Sequence, residues 1–66
     1  MNITVNGKCE EIQETLKLLD FLEAKGLDPK KVVVEYNNEI IKREDWGSVW
    51  LKDNDKLEVL RFVGGG

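Results

Sequence analysis

The chain closes on Val63-Gly64-Gly65-Gly66, so three of its six glycines are its last three residues. Otherwise, groups with inherent reactivity are sparse. The 66 residues hold one cysteine, Cys9, and no histidine. Histidine is the commonest side-chain base near neutral pH and the commonest metal ligand. The sequence therefore predicts no catalytic residue on this chain and no metal site. A glycine run has no side chain to bury and resists regular structure. It follows the alternating apolar run Leu57-Glu58-Val59-Leu60-Arg61-Phe62-Val63 with no spacer. It is expected to project as a thin, flexible thread carrying a carboxylate at its tip. A thread of this kind enters a narrow cleft that any side chain would block. Gly66 is thus the candidate reacting residue, and Gly64 and Gly65 are the residues that thread it.

A reactive thread needs a body to present it. The chain has room for one small domain, here 1–63, with 64–66 as the tail. Its apolar content of 41% is that of a folded chain. The net charge of −3 argues against nucleic acid, which rewards clustered Lys and Arg. The lone cysteine leaves no disulfide framework and fits a reducing cytoplasm. No segment supplies a signal peptide or the ~20 apolar residues of a membrane span.

Met1 to Asn6 alternates, with Ile3 and Val5 on one face. Asn6-Gly7 is a strong hairpin signal, because both positions tolerate positive φ. The return strand, about Lys8 to Gln13, is mostly polar and belongs at a sheet edge. Thr15 is expected to cap a helix carrying Leu16, Leu18, Leu19, Phe21 and Leu22 as its apolar stripe. Lys25 and Gly26 supply the stop, Leu27 folds back on the last turn, and Pro29 prevents resumption. Val32 to Tyr36 is β-branched and aromatic, hence a strand. Asn37-Asn38 turns the chain into a short strand over 39–42. Lys42 to Trp46 reads as a loop or single helical turn, Val49 to Leu51 as a brief extended piece, and Asp53-Asn54-Asp55 as a turn. Lys56 to Val63 is the last strand.

One amphipathic helix must cover one sheet. The fold class expected is α+β: a ubiquitin-like β-grasp roll, a mixed sheet of four to five strands covered by one helix. In that roll the first and last strands lie parallel in mid-sheet. On the last strand Leu57 and Val59 share a face with Arg61 and Val63, while Glu58, Leu60 and Phe62 share the other. Glu58 cannot be buried unpaired, so the helix covers the Leu57/Val59 face. Leu60 and Phe62, with Val33, then form an apolar patch on the open face and a candidate docking site. Trp46 reads as a core or covering residue, and Trp50 stands between cover and partner anchor. Cys9 reads as a packing residue rather than a sulfur relay. Lys30-Lys31 and Glu10-Glu11 read as solvated surface.

These residues resemble the ThiS family, the thiamine-biosynthesis sulfur carriers, over nearly the whole chain. The resemblance rests on Asn6-Gly7, the strand Val32-Val33-Val34-Glu35-Tyr36-Asn37, and the stretch Ile40-Ile41-Lys42-Arg43-Glu44-Asp45-Trp46. Asp53-Asn54-Asp55 stands where the family has Asp-Gly-Asp, and Phe62-Val63-Gly64-Gly65-Gly66 is the most specific part. The resemblance implies a protein substrate and not an enzyme. A ThiF-like adenylyltransferase couples the Gly66 carboxylate to AMP, using ATP that the partner binds. Sulfur from a cysteine desulfurase persulfide displaces AMP and leaves a thiocarboxylate, which delivers sulfur to a ThiG-like thiazole synthase. No cofactor is bound by the chain itself, and it is a monomer when free. The chemistry is coherent: a carboxylate of pKa ~3.5 is ionised and a poor acyl donor at neutral pH. Adenylation supplies a leaving group, and a persulfide or thiolate is a strong nucleophile. Three other functions fit the same pattern: a sulfur carrier resembling the small subunit of molybdopterin synthase, a ubiquitin-like protein modifier, and a non-covalent interaction module with an inert tail.

Overall fold

The computed structural model describes residues 1–62. Val63 and the predicted tail Gly64, Gly65 and Gly66 lie outside the described residues. The strands are β1 (Asn2–Val5), β2 (Lys8–Glu11), β3 (Val32–Tyr36), β4 (Glu39–Ile41) and β5 (Lys56–Arg61). One helix, α1 (Leu18–Ala24), and two 3-10 segments, Pro29–Lys31 and Arg43–Ser48, complete them. The sheet order is β2-β1-β5-β3-β4. β1 and β5 are parallel and the other pairings are antiparallel. This is the expected five-stranded β-grasp roll, with the first and last strands adjacent in the middle and polar β2 at an edge.

Local chemistry sets each corner. Asn6 and Gly7 have φ of 50° and 81°, and Asn37 and Asn38 have 49° and 73°. Two consecutive left-handed residues make the turn whose twist matches an antiparallel pair, so both hairpins close in two residues. Helix α1 ends at Gly26, φ 74°. The Leu27 N–H donates to the Leu22 carbonyl and the Gly26 N–H to the Glu23 carbonyl. These two bonds are the Schellman arrangement, and they fold Leu27 back as expected.

The helix start differs from expectation. The capping position is Lys17, with no side-chain cap. Thr15 instead donates its hydroxyl to the Leu51 carbonyl at 2.7 Å. The Leu18 N–H donates to the Val49 carbonyl and the Leu51 N–H to the Leu16 carbonyl, both at 2.8 Å. Residues 16–18 therefore pair with 49–51 through a bridge between Lys17 and Trp50, and the helix begins after it. A tertiary pairing satisfies the donors that a cap would have served.

The core lies between α1 and one sheet face. Ile3, Ile12, Leu18, Phe21, Leu22, Val32, Val34, Trp46, Leu51 and Leu57 are buried. Trp46 is fully enclosed and donates its indole N–H to the Ile41 carbonyl at 3.0 Å, so it is the core residue expected. Two sequence expectations fail at β2. Cys9 is exposed and does not pack against the core. Glu10 is not merely solvated: its carboxylate pairs with the Lys25 ammonium at 2.5 Å. Both follow from the edge position, where one β2 face meets the end of α1 and the other meets water.

The turn 53–55 delivers β5 into place. The Asn2 N–H donates to the Asp53 carboxylate at 2.7 Å, and the Thr4 N–H to the Asp55 carbonyl at 2.9 Å. Asn54 takes φ 71°, which asparagine tolerates better than other side-chain-bearing residues. The Asp55 carboxylate is buried at 4% exposure. It accepts from the Tyr36 hydroxyl at 2.7 Å, the Lys52 N–H at 2.6 Å and the Asn37 amide at 3.2 Å. Burial pushes this carboxyl up, but those bonds and the Lys52 charge outweigh it and hold it below the ordinary 3.8. Burial, and next the bond to Asp55, push the Tyr36 hydroxyl above 10.0, so it stays a donor.

Candidate functional site

The site is built from β5 and the sheet face that α1 leaves bare. Within β5 the residues alternate. Leu57 and Val59 face the helix, buried and half-buried, while Leu60 stands on the other face at 58% exposure. Register places Leu60 opposite Val33, which is half-buried. Phe62 is 48% exposed, and its N–H donates to the Lys31 carbonyl at 3.1 Å. This bond carries the β3–β5 ladder to the last described residue. The three residues of the sequence-predicted patch therefore stand on one open face, at the end from which the glycine tail departs in sequence.

Two elements hold that end of β5. On one flank is the ladder to β3, from Tyr36 opposite Leu57 to Val32 opposite Arg61. On the other, β1 reaches only to Val5 opposite Leu57. Beyond it the Asn6 side chain takes over. Its oxygen accepts from the Val59 N–H at 2.7 Å, and its amide donates to the Val59 carbonyl at 3.3 Å. A side-chain amide thus imitates two further ladder bonds. Sequence reading gave Asn6 a turn role alone, and nothing in its local pattern signals the second one.

The face carries two features that sequence reading passed over. Ile40, on β4, is 69% exposed and lies opposite Glu35. Glu35 in turn lies directly opposite Glu58 on β5, and both are half-buried. Like charges directly opposite are destabilising, on the order of the 0.2–1 kcal/mol that cross-strand pairs exchange. Strand parity alone signals the exposure of Ile40, but the pairing of the two glutamates needs the β3–β5 register.

Trp50 is 53% exposed, with the Lys17 ammonium 5.4 Å from its ring centroid. Among the described residues no three Cys, Asp or Glu converge as a metal-holding group. No helix among them is long and apolar enough to cross a membrane.

A five-stranded mixed sheet, one main helix and a last strand running out along an open apolar face define a ubiquitin-like β-grasp protein. The sequence profile of the ThiS family matches residues 3–66, and the chain belongs to that family. It is 40% identical over 65 residues to the sulfur carrier protein ThiS of Bacillus subtilis, covering 97% of this chain and 98% of that protein. The crystal structure of the thiamine biosynthesis protein (ThiS) from Geobacter metallireducens superposes with a TM-score of 0.86 at 39% identity, covering 100% of both chains. A thiazole synthase from Paramagnetospirillum magneticum is 35% identical over 66 residues, all of this chain but 20% of that protein. The chain thus spans about one fifth of the length of that thiazole synthase and of its counterpart in Magnetococcus marinus.

Proposed function

We propose that this chain is a sulfur carrier for thiamine thiazole synthesis, acting as a protein substrate through Gly66. The observation that supports this most directly is the 40% identity to the B. subtilis sulfur carrier across almost the full length of both proteins. The chemistry begins when a carboxylate oxygen of Gly66 attacks the α-phosphorus of ATP held by a ThiF-like adenylyltransferase and pyrophosphate leaves. The terminal sulfur of a persulfide, supplied by a cysteine desulfurase, then attacks the acyl carbon. The C–O bond breaks and AMP departs. The product is an acyl disulfide. A second thiol attacks the donor's cysteine sulfur, forming a disulfide with it, and the S–S bond to the acyl-bound sulfur breaks to leave a thiocarboxylate on Gly66. Gly66 needs no side chain because its carbonyl is approached from both faces, and Gly64 and Gly65 let the backbone lie close to the partner.

Leu60, Phe62 and Val33 are the proposed docking residues. Fully burying a Leu or Phe contributes about 1.5–3 kcal/mol. Each of Leu60 and Phe62 is about half exposed, at 58% and 48%, so docking gains roughly 1 kcal/mol from each. The likeness to thiazole synthases supports such an enzyme as the sulfur acceptor. The deciding experiment mixes the thiocarboxylate form with a thiazole synthase and with a molybdopterin synthase large subunit. Sulfur is expected in the thiazole. Sulfur found only in the dithiolene product would overturn the thiamine assignment.

A further inference from the structure

The open face is not a plain apolar patch. Glu35 and Glu58 form a hydrogen-bonded cross-strand pair, whose Cα atoms stand about 5.5 Å apart. They are half-buried, with Ile40 beside Glu35 in the next strand and the Val33–Leu60 pair in the next row. Among the described residues the ion pair found is Lys25–Glu10, on the edge of the sheet. No lysine or arginine among them comes within 4.0 Å of either carboxylate. The described residues thus hold two like charges side by side with no ion pair within 4.0 Å of either, although the exposed Lys56 stands two residues before Glu58 on the same face. Only two carboxylates meet here, too few for a metal cage. What would neutralise both is one cation seated from above the sheet.

We propose that Glu35 and Glu58 recognise an arginine of the docking protein, framed there by apolar side chains that cover Leu60, Val33 and Ile40. The argument is charge complementarity at close quarters. A guanidinium presents five donors in a planar fork and is weakly hydrated, so it can bond two adjacent carboxylates inside an apolar surround. A lysine offers a point charge that is harder to dehydrate. The pair also confers selectivity: an acidic or purely apolar partner surface leaves two carboxylates desolvated and unpaired. The proposal rests on the sulfur-carrier reading for the identity of the docking protein, the adenylyltransferase.

The two roles of the pair predict effects of opposite sign. Replacing both residues, Glu35→Gln with Glu58→Gln, removes the repulsion and keeps the shape. The melting temperature of the free chain should rise. Binding to the purified adenylyltransferase should weaken about tenfold at low salt, and the salt dependence of association should flatten. Glu23→Gln, an exposed change on α1 with half that charge change, should do neither. Unchanged or tighter binding of the double variant, or equal weakening by Glu23→Gln, would overturn the proposal. ATP-dependent activation of the wild-type chain is measured in parallel. A wild type that is activated while the double variant binds normally refutes this inference alone. A wild type that neither binds nor is activated refutes the carrier reading and this inference with it.

Discussion

Asp55 is the residue on which the placement of β5 most depends. Its carboxylate gathers three donors from Tyr36, Asn37 and Lys52, across β3, the turn after it and the turn before β5. Asp55→Ala removes the shared charged acceptor of the part-buried Lys52 N–H and of two side-chain donors and should cost about 2 kcal/mol. For a chain this short that corresponds to a fall in melting temperature of roughly 10 °C. The same group sets an acid limit. Its native pKa lies below the ordinary 3.8, so the unfolded chain binds this proton more readily. The stabilisation is complete above about pH 4 and fades as pH falls through the native value. Melting curves from pH 6 to pH 2 should show this loss, and Asp55→Asn should flatten it. Cys9 is a contrasting case. It is exposed on an edge strand, and the sulfur acceptance proposed at Gly66 needs no thiol on this chain. Cys9→Ser should form thiocarboxylate at the wild-type rate by intact-mass spectrometry. The role of Asp55 was legible only as turn chemistry, because two of its three donors, on Tyr36 and Asn37, lie far away in sequence.

At the scale of elements, two positions separate backbone strain from lost bonding. Gly26 sits at φ 74°, and a Cβ there would meet nothing within 4 Å. Gly26→Ala should therefore cost only the left-handed strain, about 1 kcal/mol. Asn6→Ala meets a similar strain at φ 50° and also loses both bonds to Val59. It should cost about 2 kcal/mol or more, read from urea midpoints of both variants. The strands and the helix stop were legible because their signals are local: β-branched runs, Asn and Gly at turns, Gly after Lys25. The helix start was not. Thr15 has the right side chain for a cap, but its hydroxyl is taken by Leu51, more than thirty positions away in sequence. The open face was legible from parity and the cost of burying Glu58. The glutamate pair needed the β3–β5 register.

At the scale of the whole molecule, the one helix among the described residues covers one face of the sheet and leaves the other bare. The fold class follows from that count, since a single amphipathic helix can cover only one side. Leu60→Ala and Phe62→Ala should barely alter the melting temperature, because both are already wet, and each should weaken adenylyltransferase binding by about 1 kcal/mol in calorimetry. The direct test of the account is intact-mass analysis of the chain incubated with a ThiF-like adenylyltransferase, ATP and a persulfide donor. The account predicts an AMP adduct, then exchange of one oxygen for sulfur, with fragmentation placing both on Gly66. It also predicts neither product from a chain lacking Gly66 that melts at the wild-type temperature. Sulfur on Cys9, or full activation of the chain without Gly66, would contradict it.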